Sequence, residues 1–228
     1  MVAYFTYRMS VQWAMPQKDD FLTRLQEQLL RALEQARQLS AAGQTDEALA
    51  VIHRAQRTLV GLDSNLLHRV PSADLLLLLG GAETPDVERC LHCAELLSAE
   101  AEFRAKSGEP DPAQVHKALE LYLSALRAEP GFAAHYEARL GALTQSLGYA
   151  VLEAARSQLV DVYTHAGRFD EAENWLYRWG ELQPDMARGR AERFYRELLS
   201  LDDGVLEQGG LPRAEVEEGL ANINGTTV

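Results

Sequence analysis

Apolar residues recur three and four positions apart along most of the chain, which is the spacing of one face of an α-helix. The clearest stripe runs from Leu22 through Leu29 and Leu33 to Ala36. No stretch is a credible β-strand, since even the five leucines at 75–79 lack the β-branched residues that strands favour. The pattern therefore predicts an all-α chain of about ten helices.

A helical hairpin is best defined at residues 159–184. Leu159 and Tyr163 lie four positions apart and so share one face of its first helix. Gly167 follows that helix, where a left-handed backbone is least costly for glycine. Ala172 is small enough to let the two helix axes approach closely, and a late proline ends the second helix.

The same combination of glycine and small residue occurs twice more. Gly43 precedes Ala48 by five positions, as in the hairpin above, and Gly108 precedes Ala118 by ten. Self-similarity of this kind is the signature of helical-repeat proteins. We therefore predict tetratricopeptide (TPR)-like helical hairpins stacked into a short α-solenoid, which forms a single domain over residues 16–225.

The segments around these hairpins predict further helices. Asp19 or Asp20 is expected to cap the first helix. A short buried helix starts at Ser72, and the helix after it is capped at Thr84-Pro85. Gly209-Gly210 is interpreted as a linker and hinge. Other helices are expected at about 132–147, 149–166, 184–201 and 212–221.

Residues 1–15 share no periodicity with the rest of the chain. Their four aromatic residues lack helical spacing. Two interpretations are open: Met15 is the true start and the upstream residues are an extension, or the segment is an arm that docks on the body or on a partner. The polar sequence after Met15 favours the first.

Composition and charge exclude several classes of function. The 228 residues are 46% hydrophobic and 25% charged, with a formal net charge of -12. That charge argues against nucleic acid and against anionic membrane surfaces. No run approaches the ~18 apolar residues of a membrane span, and the first fifteen residues lack a signal-peptide core. With only two cysteines there is no disulfide framework, so we expect a cytoplasmic protein.

Several segments between residues 19 and 225 resemble an uncharacterised bacterial family of TPR-like helical proteins. The resemblance implies an all-helical fold and a bacterial cytosolic setting, and it carries no catalytic residue. The segments are Gly61-Leu62, Asp74-Leu75-Leu76, Ala94-Glu95-Leu96-Leu97, Ala99-Glu100-Ala101-Glu102 and Lys117-Ala118-Leu119-Glu120-Leu121-Tyr122-Leu123.

Cys90 and Cys93 form the one motif that suggests chemistry, a C-x-x-C. It could be half of a zinc site or a redox pair. Zinc would need two further ligands, for which only His68 and His116 are plausible. A reactive thiol would sit at a helix N-terminus, whereas Cys90 is expected more than a turn inside its helix. We therefore expect no metal, no cofactor and no catalysis, with a thiol- or metal-binding protein or an enzyme using this pair as the alternative.

The remaining polar residues match no catalytic motif. The six histidines are scattered without metal-ligand spacing. The basic run of Arg188, Arg190, Arg193 and Arg196 is interleaved with glutamates, so it is interpreted as a solvated, ion-paired helix face.

The predicted function is binding of a protein or peptide along the concave side of the solenoid, which the first helix of each hairpin lines. The acids on this face suggest a basic or neutral partner segment. The oligomeric state is left open. Aligning the three hairpins on their glycines places equivalent groove residues at Arg37, Glu102 and Asp161, and further groove positions fall at Glu95, Ser98, Thr164 and His165.

Overall fold

A computed structural model describes residues 18–80, 86–147 and 153–225. These residues form twelve α-helices and no strand, so the prediction of an all-α chain is confirmed. The helices are α1 (Lys18–Ala41), α2 (Thr45–Ala55), α3 (Ser64–Arg69), α4 (Ser72–Gly80), α5 (Val87–Lys106), α6 (Pro112–Ala128), α7 (Ala133–Leu147), α8 (Glu153–His165), α9 (Phe169–Leu182), α10 (Pro184–Leu198), α11 (Asp203–Gln208) and α12 (Arg213–Gly225). A π-helical turn, Gln56–Val60, extends α2, and a 3-10 turn, Pro130–Phe132, precedes α7.

The helices pack as consecutive pairs. α1 packs on α2, α5 on α6, and α8 on α9. The pairs also follow one another, because α2 contacts α5, α6 contacts α8, and α9 contacts α10, which in turn packs on α12. Helices α3 and α4 are inserted between the first and second pairs, and α7 between the second and third.

One type of turn joins the two helices of each pair. The predicted glycines all have left-handed backbones, and the residue after each donates its N–H to the carbonyl five positions back. This is the Schellman arrangement, in which glycine avoids the strain that a Cβ would meet. The predicted alanines at the helix crossings are completely buried, as expected: Ala48, Ala118 and Ala172. The turn glycines are Gly43 (φ 78°), Gly108 (φ 86°) and Gly167 (φ 68°).

Helix α5 lies at the centre of the molecule. Residues on all sides of it are buried, rather than on the single face that its periodicity suggested. It contacts α1, α2, α4 and α6, and a helix enclosed in this way needs small or apolar residues all round. Its one fully buried charge is Glu100, which is 0% exposed.

The region between α2 and α5 differs from the prediction. Asp63 caps the unpredicted helix α3, accepting the N–H of Leu66 at 2.9 Å. Helix α4 starts at Ser72 as predicted, but Leu77 and Leu78 are exposed, so it is buried on one face only. An isolated short helix has too few positions for periodicity to reveal this.

Several helix boundaries also differ from prediction. Asp86 caps α5 by accepting the N–H of Arg89, while the predicted cap at Thr84-Pro85 lies outside the described residues. The predicted start of α8 near residue 149 lies outside them as well. Helix α1 already includes Lys18, so neither Asp19 nor Asp20 precedes it. Near the C-terminus, α10 ends at Leu198, earlier than predicted, and α12 continues to Gly225, further than predicted.

The Gly209-Gly210 pair is part of the packed structure, not a hinge. The carbonyl of Gly209 accepts the backbone N–H groups of Phe169 and Asp170 at 2.9 and 3.1 Å. These N–H groups lie at the start of α9 and have no intrahelical acceptor. A Cβ at Gly209 would lie 2.8 Å from the carbonyl of Gly167, so this position requires glycine to let two backbones meet.

Candidate protein-binding groove

A groove of about 560 Å³ lies between α1, α5 and the segment from Phe132 into α7. On α5 the lining positions are Glu88, Leu91, His92 and Glu95, which are three, four and seven apart. The same spacing recurs on α1 and from Phe132 onwards. Each helix therefore presents one continuous face to the groove. We call this feature the α1–α5–α7 groove.

The floor of the α1–α5–α7 groove is apolar, and large apolar side chains reach solvent at its rim. Leu29, Leu33 and Leu91 are buried. Leu30 on α1 is 57% exposed, and Phe132 is 37% exposed. Two large apolar residues on opposite walls of one depression are a more specific signal than a single exposed leucine.

Arg139 of α7 holds the acids of α5. Its Nη2 lies 3.2 Å from Oε2 of Glu95, and its Nη1 lies 3.8 Å from Oε2 of Glu102. Burial disfavours the charge of Arg139, but these carboxylates outweigh burial and raise its pKa. The rings of Tyr122 and Tyr136, 5.3 Å apart, join α7 to α6. The side chain of Arg139 thus joins α7 to α5, while α7 itself packs on α6.

The groove residues predicted on α5 therefore already contact other residues of the same protein. Ser98, between Glu95 and Glu102 on the same face, is only 4% exposed. It cannot contact a partner, so its assignment to an open surface was wrong. The α5 acids find their basic counter-charge in Arg139, a residue of the inserted helix α7.

The predicted positions on α8 do not line the α1–α5–α7 groove. Asp161 Oδ1 accepts a hydrogen bond from Arg190 Nη2 at 2.7 Å. Thr164 donates to Val160 O, and Nδ1 of His165 lies 2.7 Å from the carbonyl of Asp161. Of the seven predicted positions, only Arg37 and Glu95 share the groove.

A second polar site is buried around Glu100. Its Oε1 lies 3.1 Å from Nε2 of His53 on α2 and 2.9 Å from Nε2 of His68 on α3. Its Oε2 accepts from Gln56, in the π-helical turn, at 2.9 Å. Arg104, one turn further along α5, donates to Oε1 at 3.1 Å. We call these residues the Glu100 cluster.

The Glu100 cluster holds a carboxylate in its charged form. Burial alone would raise the pKa of Glu100, but the hydrogen bonds from His53, His68 and Gln56 outweigh burial and hold it well below its usual range. The side chain is 0% exposed, so no substrate reaches it. Its role is to join α2, the π-helical turn and α3 to the central helix.

The Glu100 cluster does not form a metal site. Within the described parts of the chain, no group of three or more His, Cys, Asp or Glu residues could hold a metal ion. Oε1 of Glu100 already faces both imidazoles and the guanidinium of Arg104. A bound cation would have to displace or repel that guanidinium.

One sequence feature indicates this cluster. Glu100 lies between two small apolar residues, Ala99 and Ala101, and all three are buried in the interior of the protein. Acids are almost never fully buried unless they are paired. Its partners His53 and His68 lie 47 and 32 residues away, so only the fold brings them together.

A family model of unknown function, DUF6483, matches residues 16–227. The chain belongs to the DUF6483 family. No curated protein and no solved structure matches it. None of the helices described above is long and apolar enough to cross a membrane.

The two thiols of this DUF6483 chain are buried in the interior. Burial, with a contribution from Asp86, raises the pKa of Cys90 to about 11. Burial likewise raises the pKa of Cys93 to about 12. Helix α5 begins at Val87, so Cys90 lies nearer the helix N-terminus than predicted. Desolvation is the largest influence on both sulfurs, and it favours the protonated thiol, which is the weaker nucleophile.

The basic run on α10 is only partly a solvated face. Arg196 and Glu192 form the expected surface pair at 2.6 Å. Arg190, however, is 8% exposed and points inward to Asp161, so its assignment to the surface was wrong. Arg193 donates to the carbonyl of Gly189 within the helix. The run therefore offers no continuous cationic strip for a phosphate backbone.

Proposed function

We propose that this DUF6483 protein is a non-catalytic, TPR-like helical-repeat protein of the bacterial cytosol that binds a helical segment of another protein in the α1–α5–α7 groove. The observation that carries the proposal is the groove itself. Three helices each turn one face toward an apolar floor, with Leu30 and Phe132 exposed on opposite sides.

The arrangement of the helices supports a TPR-like architecture. The same left-handed glycine turn joins the two helices of three pairs, each time with a hydrogen bond from a backbone N–H to the carbonyl five residues earlier. Each pair contacts the next through its second helix. Stacking of this kind produces extended surfaces suited to protein recognition.

The shape of the groove suits an amphipathic helix. Helix-in-groove recognition uses apolar anchors three, four and seven positions apart on the ligand. The groove offers Leu29, Leu33 and Leu91 as the surface for such anchors, and Leu30 and Phe132 as walls. The apolar side chains of a bound helix would remove these exposed residues from water.

The charged residues at the predicted binding surface indicate which kind of partner segment fits it. The acids expected to attract a basic segment already face Arg139 and Arg190 within the chain. Arg37 is exposed at the groove. Of the two kinds of partner segment predicted from the sequence, basic or neutral, we therefore favour the neutral one. It would be a helix with one carboxylate placed near Arg37.

The alternative function, a thiol or metal protein using Cys90 and Cys93, has less support. Both sulfurs are completely buried. His68, one of the two histidines considered as further zinc ligands, is engaged by Glu100 at 2.9 Å.

Two substitutions of matched exposure test the proposed groove. Leu30 in the groove is 57% exposed, and Leu77 on α4, outside it, is 54% exposed. Leu30→Arg and Leu77→Arg add the same charge and volume at equally accessible positions. Parent and variants are used as bait in pull-downs from the source cell, and a photo-crosslinking residue at Phe132 then maps the captured segment.

Support requires a protein retained by the parent and by Leu77→Arg but reduced at least about tenfold by Leu30→Arg, with the crosslink in an amphipathic helix. Equal capture by both variants would place the binding surface elsewhere. Circular dichroism of each variant verifies that the helical content is unchanged.

A further inference from the structure

A second cleft, of about 630 Å³, lies at the C-terminal end of the molecule between α9, α10 and α12. Its floor is formed by Leu176, Ala187, Tyr195 and Gly219, all of which are buried. A Cβ at Gly219 would collide with the ring of Tyr195. The absence of a side chain at Gly219 thus leaves room for the Tyr195 ring in an apolar, open depression between three helices.

Tyr177, which lines this cleft, and two apolar side chains close to it in sequence are exposed. Tyr177 is 60% exposed, Met186 is 47% exposed and Leu182 is 37% exposed. All three lie within ten residues, at the end of α9 and the start of α10.

The rim of the same cleft carries charges of both signs. Asp185 and Arg188 lie three positions apart on α10, and both are exposed. Arg188 Nη2 donates to the carbonyl of Ile223 at 2.7 Å, which holds the guanidinium at the rim beside α12. An acid and a base on one patch are self-complementary under a two-fold axis.

We infer that the α9–α10–α12 cleft is a two-fold interface between two copies of this chain. Asp185 of each copy faces Arg188 of the other copy across the axis. Tyr177 of each copy covers the cleft of the other. This face is separate from the α1–α5–α7 groove, so the inference does not depend on the proposed function.

Opposite charge on one helix allows a specific test by charge exchange. Asp185→Arg and Arg188→Asp are purified separately, and their masses are measured by sedimentation over a range of concentrations. In either variant alone, like charges face each other twice across the axis. In an equimolar mixture, two arginines from one copy face two aspartates from the other.

We expect the parent to be a dimer, and each single variant to have a dimer dissociation constant at least about 100-fold higher. The equimolar mixture should recover the dimer mass. Leu77→Asp, at an exposed position outside the cleft, should remain as dimeric as the parent. Circular dichroism confirms that the charge variants stay folded.

Three results would overturn the inference. The first is a parent that stays monomeric at every concentration. The second is a dimer that persists in both single variants, which would place the interface elsewhere. The third is folded, monomeric single variants that fail to associate when mixed, because the interface would then lack the pairing of Asp185 with Arg188.

Discussion

Replacing Glu100 by glutamine removes the buried charge on which three separate elements converge. Glutamine keeps the shape and one carbonyl oxygen. Its amide nitrogen, however, must face a donor that now approaches a carboxylate oxygen: Nε2 of Gln56 at 2.9 Å or Nη2 of Arg104 at 3.1 Å. Two donors then point at each other in a site that is 0% exposed. At least one buried hydrogen bond is lost, and Arg104 loses its counter-charge.

The burial of Glu100 determines how much the substitution should lower the free energy of unfolding. Removing one partner from a buried ion pair costs about 3–5 kcal/mol, and a hydrogen bond to a charged group contributes about 1.5–3 kcal/mol. Arg104 is 28% exposed and can turn partly to water. We therefore take the lower end, about 3 kcal/mol. For a chain of this size that loss lowers Tm by roughly 6–12 °C.

The pH dependence gives a second, independent readout. The pKa of Glu100 in the folded protein lies below its ordinary value of 4.5. Its contribution to the free energy of unfolding is therefore complete above about pH 4.5 and is lost as the pH falls below that value. The difference in stability between parent and Glu100→Gln should be largest above pH 4.5 and should shrink on acidification.

The matched control is Glu102→Gln, two residues along the same helix. Glu102 is 42% exposed, pairs with Lys106 at 2.7 Å one turn away, and lies 3.8 Å from Nη1 of Arg139, which keeps its nearer partner Glu95 in the variant. Exposed pairs of this kind contribute about 0.2–1 kcal/mol each. Thermal and urea unfolding at 222 nm measure both variants. If Glu100→Gln costs no more than Glu102→Gln at pH 7, the reasoning about the buried cluster is refuted.

Three further predictions concern packing. The double variant Cys90→Ser, Cys93→Ser should fold and bind its partner as the parent does. Elemental analysis would contradict this if the parent bound stoichiometric zinc and the variant lost it. Ala172→Phe should overpack the hairpin crossing by about 1–3 kcal/mol, seen as a lower Tm; an unchanged Tm would remove Ala172 from the crossing. Gly209→Ala should also cost about 1–3 kcal/mol, because its Cβ collides with Phe169; faster hydrogen exchange at the start of α9 would locate the damage.

Local signals were sufficient to predict the three hairpins. A left-handed glycine must lie at each turn, and a small residue must lie where two helix axes approach closely. Both constraints act within a few residues, so they appear directly in the sequence. Gly43, Gly108 and Gly167 all have positive φ, and the paired alanines are all buried.

The Glu100 cluster could not be predicted because its contacts are long-range. His68 lies on α3, whose six residues are too few to give a periodic signal. Gln56 lies in a π-helical turn, and such turns often occur at functional or structurally special positions. Sequence spacing alone cannot show that these elements reach the same face of α5.

The acids assigned to partner binding illustrate a further limit of repeat alignment. Alignment on the turn glycines places Glu95, Glu102 and Asp161 relative to their own hairpins. It does not account for α7, the inserted helix that brings Arg139 to the first two acids.

The same reasoning applies to Asp161, whose partner Arg190 has a side chain that is 9% exposed. Asp161 is itself 39% exposed, but Asp161→Lys would place a second cation against the buried guanidinium of Arg190, at a cost that belongs to folding. A loss of partner affinity in that variant would therefore say little about recognition. An informative substitution must change an exposed residue that lines the groove and has no ion-pair partner within the chain. Leu30 lines the groove and is apolar, whereas Asp161 lies outside it and is paired with Arg190.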